Sequence, residues 1–300
     1  MRVKIDQHEV NLTNLEKVFW PDEGYTKGDL LRYYTDLGPY ILPHLRDRPL
    51  VLVRHPDGIA GDSFYQKETP AYAPDWVKTV AIQHAEKPVH YTICNDLETL
   101  LWVVNQGAIE INPWFSRWQQ DDYPDIMVFD LDPEPPSTFA DTLPLALAIR
   151  EVLKQFSLEA YPKTSGATGL HLFVPVAPAY THQEVALAAG CVSHLVAEAF
   201  PQKATVERMV RKRDGKVYLD YLQNGRGKTV AAVYSPRPRP QAPVSMPLTW
   251  EEVAGGKVRR TDFTIQNALR RVQARGDLFA PVAEQRQDLT SLMEMAKLGC

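Results

Sequence analysis

The chain is 300 residues long and 44% hydrophobic, enough to bury a full core in one large domain or two smaller lobes. Its net charge of −4 excludes a uniformly basic nucleic-acid binder, so any contact with a phosphate backbone has to come from local clusters. No apolar run approaches the ~18 residues of a membrane span, and the charged, polar start, Met1-Arg2-Val3-Lys4-Ile5-Asp6, has no signal-peptide character.

In chain order, residues 26–41 predict a helix: Thr26 is placed to cap it, and Leu30, Leu31, Tyr34 and Leu37 recur at helical spacing. Residues 50–54 are strand-like, and 97–107 predict a helix with Leu100, Leu101 and Val104 on one side. The apolar run from Ile126 favours a strand through Val128 and Phe129, and Pro133 stops it. A helix is expected over 142–156, between Asp141 and Ser157, and a strand over 170–175. Residues 181–200 predict a longer helix whose opening, Thr181-His182-Gln183-Glu184, fits a capping box. Residues 217–222 are again strand-like. The alternation over 126–222 predicts a sheet with helices packed against it. Pro236-Arg237-Pro238-Arg239-Pro240 is expected to be an extended surface connection, and 286–300 a tail of no readable structure. Cys94, Cys191 and Cys300 lie far apart with no Cys-x-x-Cys pair, which argues against a zinc site or a disulfide framework and fits a reducing compartment.

Three of these elements carry chemistry. Asp130 and Asp132 close the apolar strand two residues apart, so their carboxylates project to the same side. Such a pair is costly unless offset, and a divalent cation offsets it; an ordinary loop entrance before Pro133 is the bland alternative. In Lys163-Thr164-Ser165-Gly166-Ala167-Thr168-Gly169-Leu170-His171, the glycines let the backbone approach a ligand, and the amides and hydroxyls suit phosphate oxygens. A tight hairpin with a core histidine reads equally well. Asp220, inside the 217–222 run, is either a hydrogen-bonded structural acid or a third carboxylate facing the first two. From Lys203 to Arg239 there are ten basic residues against Glu207, Asp214 and Asp220, a basic wall around that third acid.

These motifs in this order resemble the archaeo-eukaryotic primase superfamily, and most closely the polymerase domain of bacterial ligase D. Further stretches carry the resemblance: 12–21 with Tyr25-Thr26-Lys27, 42–49 through Phe64-Tyr65-Gln66-Lys67, 227–231, 234–237, and 262–264 to 276–277. It covers roughly residues 2–285. The fold it implies is α+β: a primase-type catalytic core with an RNA-recognition-motif-like antiparallel sheet flanked by helices, plus an amino-terminal α/β module. The expected limits are 1–120 for that module, 121–245 for the core, 246–285 for a helical closure and 286–300 for the tail.

The resemblance implies template-directed nucleotidyl transfer that fills gaps and extends ends in non-homologous end joining, with ribonucleoside triphosphates preferred over deoxyribonucleotides. Asp130, Asp132 and Asp220 are implied as catalytic ligands of two manganese or magnesium ions. Ser165, Gly166, His171, Arg213, Gln223, Lys228, Arg237 and Asn112 are implied at the nucleotide. Asn14, Lys17 and Lys27 are implied at a DNA 5′-phosphate, and Phe64 and Tyr65 as a pair that stacks on template bases. Surface charge and core packing are the respective alternatives for those last two groups. Implied partners are gapped or 3′-overhanging DNA, a Ku-type end-binding protein and a DNA ligase; the implied location is the cytoplasm, at the nucleoid. Two departures reduce positive charge at the triphosphate: Asn112 where the family commonly has histidine, and Thr168 where it often has lysine.

Other readings are weaker. Lys212-Arg213-Asp214-Gly215 fits the Lys-x-Asp-Gly pattern of covalent nucleotidyltransferases, without the supporting motifs of that class. Gly225-Arg226-Gly227-Lys228-Thr229 lacks the glycine a Walker loop needs at position 222, which is Leu222. A non-catalytic module that bridges DNA ends is the alternative from a different class.

Overall fold

A computed structural model describes residues 1–5 and 7–299, and these sort into two compact units. The first comprises Met1–Gln119, Thr229–Ser245 and Phe263–Asp277; the second comprises Gln120–Lys228, Met246–Asp262 and Leu278–Cys300. In this division residues 229–245 group with the amino-terminal residues.

In the first unit the expected helix forms as Lys27–Leu45. Thr26 stays extended and accepts from the Asp29 amide while the Asp29 carboxylate accepts from the Thr26 amide, so two of the unpaired donors at the helix start are satisfied. Leu30, Leu31, Tyr34, Leu37, Ile41 and Leu45 form its buried stripe. The Leu50–Arg54 strand is central in a three-stranded sheet, between Phe64–Gln66 and Ala108–Pro113, and both neighbours are antiparallel. The returning segment is tied in by bonds from the Ala232 amide to the Ile111 carbonyl (2.9 Å) and from the Tyr234 hydroxyl to Asp277 (2.5 Å). Within the expected proline-rich connection, Pro236 is buried and bridges to Val244, Arg237 and Pro238 are half-buried, and the exposed surface begins only at Arg239.

The second unit is built on a five-stranded sheet in the order Tyr161–Thr164, Leu170–Pro175, Ile126–Pro133, Val217–Asp220, Ala204–Thr205. All pairs are antiparallel except the last. The helices Phe139–Gln155 and His182–Ala199 pack on each other and on the Ile126–Pro133 strand, and so cover one face. Met127, Phe129 and Leu131 alternate toward that face, which leaves Asp130 and Asp132 on the other.

Four sequence expectations are corrected here. The helix expected over 142–156 starts at Phe139, and Asp141, expected just outside it, is its third residue, accepting from the Thr138 amide and hydroxyl. The strand over 217–222 ends at Asp220, where the chain enters a tight turn, Tyr221–Asn224. The expected tail contains the helix Thr290–Leu298, which buries Leu292, Met293 and Ala296 against His182–Ala199. Cys94 is a buried free thiol, whereas Cys191 is disulfide-bonded, against the expectation from spacing. Cys300 lies outside the described residues.

Candidate active site and nucleic-acid interface

The sheet of the second unit carries one row of ionisable side chains across four strands. Lys163 pairs with His171, His171 with Asp130, and Asp130 with Asp220, each directly opposite the next. Opposed residues share a face, so the row lies on the side away from the two long helices. The Lys163 ammonium is 2.8 Å from His171 Nδ1, and His171 Nε2 is 3.2 Å from Asp130 Oδ1.

Asp220 ends the row under electrostatic strain. Burial, and next the charge of Asp130, push its carboxyl above the ordinary range; the Tyr218 hydroxyl, the Leu222 amide and Arg213 oppose the shift. Asp132 stands two residues along the same strand, opposite Tyr218, ~7 Å farther on the same face. Among the described residues no three His, Cys, Asp or Glu side chains converge closely enough to form a preassembled metal cage. The donor set still fits a hard divalent cation: it is all oxygen, and Asp130 and Asp220 repel in a way that a cation relieves.

The glycine turn packs against this strand. A Cβ on Gly169 would lie 2.1 Å from the Leu131 carbonyl oxygen, so only glycine fits there, and Gly166 adopts φ +70°. Ser165 is buried and its Oγ accepts from the amides of Ala167 (3.1 Å) and Gly169 (3.0 Å). Two amides expected to meet phosphate oxygens are therefore used inside the turn. Among the described residues, those of Gly166 and Thr168 are the ones the turn leaves unused.

Beside Asp220 opens a cavity of about 350 Å³ lined by Arg208, Arg213, Tyr218, Asp220, Leu222, Gln223 and Lys228. Arg213, Gln223 and Lys228 were expected near the nucleotide; Arg208 was expected only as part of the basic wall, and Tyr218 was not singled out. Arg213 lies over the Tyr218 ring at 3.9 Å and donates to the Glu207 and Arg208 carbonyls, so its position is built in rather than left to solvent. Arg226, counted in the basic wall, pairs with Asp121 and Asp122. The Lys-x-Asp-Gly stretch is a turn with Asp214 and Gly215 both at positive φ.

In the first unit the backbone brings Asn14, Lys17 and Lys27 together: the Lys17 amide bonds to the Asn14 carbonyl and the Lys27 amide to the Lys17 carbonyl. The Lys27 ammonium is held by the Thr13 carbonyl at 2.7 Å, and burial, then Lys17 and Arg54, lower its pKa to about 8. Three cations thus converge at the start of the Lys27–Leu45 helix, where the helix dipole also favours an anion. Arg54 was missed from sequence; Asp57, paired with Lys17, is the local counter-charge. Phe64 is 46% exposed and Tyr65 74% exposed, so neither is a core residue. As neighbours in an edge strand they project to opposite faces, with Phe64 under the Arg54 guanidinium at 5.1 Å. Arg237 is bound to Glu110 at 2.7 Å, and Asn112, one strand repeat from Glu110, has a buried Nδ2 with no partner among the described residues.

The family model described as LigD, primase-polymerase domain, matches residues 26–279. The chain belongs to the LigD primase-polymerase domain family. It is therefore a nucleotidyltransferase of the primase-polymerase type. It is 35% identical over 91% of its length to the multifunctional non-homologous end joining protein LigD of Mycolicibacterium smegmatis. It is 32% identical over 96% of its length to the bifunctional non-homologous end joining protein LigD of Bacillus subtilis. The chain spans 36% of the first of these curated relatives and 47% of the second. The solved polymerase domain of Mycobacterium tuberculosis ligase D, in complex with DNA, matches with a TM-score of 0.87 at 30% identity, over 93% of this chain and 99% of that one. The α+β fold expected from sequence is that fold. Among the described residues, no helix is long and apolar enough to cross a membrane.

Proposed function

We propose that the chain extends the 3′-hydroxyl of a broken DNA end by template-directed nucleotidyl transfer, filling gaps in non-homologous end joining and preferring ribonucleoside triphosphates. The observation that carries this reading is the Asp130–Asp220 pair beside a cavity lined by Arg208, Arg213 and Lys228. The Asp220 carboxylate and these cations line one cavity, as a triphosphate with bound cations requires.

In this reading Asp130, Asp132 and Asp220 hold two manganese or magnesium ions, which when bound neutralise charge on the attacking and leaving oxygens. Arg213 and Lys228 take the charge of the phosphates, and the rigid fork of Arg213 orients them. Gln223 reaches the same cavity, and the Gly166 and Thr168 amides of the glycine turn offer further donors. His171 presents Nε2 toward the row rather than to bulk water, and Ser165 holds the turn in shape. Arg237 and Asn112 are assigned to the nucleotide, Asn112 through its buried amide, which has no partner among the described residues. Lys17, Lys27 and Asn14 take a downstream 5′-phosphate, and Tyr65 and Phe64 stack on unpaired template bases, a contact tolerant of sequence. A Ku-type end-binding protein and a DNA ligase are the partners such a product needs, in the cytoplasm at the nucleoid.

Primer extension across a short gap tests the reading, with manganese and either all ribonucleotides or all deoxyribonucleotides. The expected result is extension that is stronger with ribonucleotides and that weakens when the downstream 5′-phosphate is removed. Equal use of both sugars would remove the ribonucleotide preference. DNA binding without extension under any divalent metal would favour an end-bridging module instead.

A further inference from the structure

Lys163 is the one member of the row that the mechanism above does not use. Its side chain is 0% exposed, on a strand whose backbone is clamped from outside: the neighbouring Thr164 amide bonds to the Met246 carbonyl at 2.9 Å, and Lys163 itself bridges to Pro247. The ammonium lies 2.8 Å from His171 Nδ1 and 5.1 Å from the centre of the Phe173 ring. A buried lysine is costly and persists where its donors are satisfied. An ammonium has no acceptor, so in its charged form it donates to Nδ1, and the neutral imidazole must then carry its proton on Nε2. That nitrogen is the one 3.2 Å from Asp130 Oδ1.

We propose that Lys163 is a positioning residue that holds His171 in the Nε2–H tautomer and so aims its remaining donor at the Asp130 end of the candidate metal site. The role is that of the outer partner that orients a functional histidine through its second nitrogen. Lys163 touches neither nucleotide nor metal; it acts through His171. The inference rests on the polymerase reading for its functional consequence, but not for its structural one.

The test uses nitrogen-15 NMR of the His171 ring in the full chain, compared with Lys163→Met, which keeps the length and loses the donor, and Lys163→Arg, which restores a donor. The wild-type ring is expected as a single Nε2–H tautomer, Lys163→Met as a mixture of the two tautomers, and Lys163→Arg as the wild-type form. Primer extension is expected to lose about ten- to a hundredfold in kcat in Lys163→Met, with the nucleotide KM within about twofold and partial recovery in Lys163→Arg. An Nδ1–H tautomer in the wild-type protein overturns the proposal even if Lys163→Met fails to fold, and so does an unchanged ring signal in folded Lys163→Met. Absence of extension in the wild-type protein would overturn the polymerase reading alone, leaving the tautomer to be judged by its own signal.

Discussion

Asp130 and Asp220 lie directly opposite each other in the two central antiparallel strands, and the charge of Asp130 helps raise the carboxyl of Asp220 above its ordinary range. A folded-state value raised above the unfolded one stabilises the protein below the unfolded pKa, and that contribution is lost as pH rises through the folded one. Asp220→Asn is therefore expected to raise the melting temperature of the metal-free protein at neutral pH, and to give no gain in acid, where both forms are neutral. Manganese should stabilise the wild-type protein and not the variant. Thermal melts with and without manganese, at two pH values, check this; a variant melting below wild type at neutral pH would refute the repulsion.

The same substitution is expected to remove extension. Loss of a carboxylate that holds a catalytic cation forfeits several kcal/mol of transition-state stabilisation, about a thousandfold in rate. Asp130→Asn and Asp132→Asn should behave alike, with DNA binding retained in each. Activity in Asp132→Asn near the wild-type level would remove Asp132 from the metal set.

Gly169 is a purely steric case. A methyl group there meets the Leu131 carbonyl oxygen at 2.1 Å, and a backbone atom cannot rotate away. Gly169→Ala is expected to cost about 2–4 kcal/mol or to displace the turn from the Asp132 strand, read by denaturant unfolding. Gly256→Ala, at φ +65° with open space around its Cβ, is the control that isolates backbone strain from contact.

How far the sequence disclosed this arrangement depends on the range of the interactions. The strand of Asp130 and Asp132 and the cap at Thr181 are local, and both were legible. The partnership of Lys163 with His171 is not local: Lys163 stands in a motif already noted, yet its meaning appears only with the register that sets it opposite His171. Arg54, Tyr218 and Glu110 were missed for the same reason, each being an ordinary residue until the fold brings it beside Lys27, Asp220 or Arg237. The helix Thr290–Leu298 did carry a local signal, Leu289, Leu292, Met293 and Ala296 at helical spacing, but no cap hydrogen bond marks its start.

The proposed 5′-phosphate pocket makes a pH prediction of the opposite kind. Lys27 has its pKa lowered to about 8, first by burial and then by Lys17 and Arg54. A depressed lysine is charged below that value and loses its charge as pH rises through it, well before an exposed lysine would. A bound phosphate reverses the balance, because its negative charge favours the ammonium; binding above about pH 8 must therefore take up a proton. The preference for a 5′-phosphorylated over a 5′-hydroxyl downstream strand is expected to weaken between about pH 7 and pH 9, where roughly one Lys27 in ten keeps its proton. Lys27→Arg, charged throughout, should hold its preference across the range, and Lys27→Met should show little preference at any pH. Fluorescence anisotropy with the two DNA ends at constant ionic strength separates these outcomes, since salt alone would change the contribution of every exposed cation. A wild-type preference that stays flat to pH 9 would mean that Lys27 does not supply the charge that reads the phosphate.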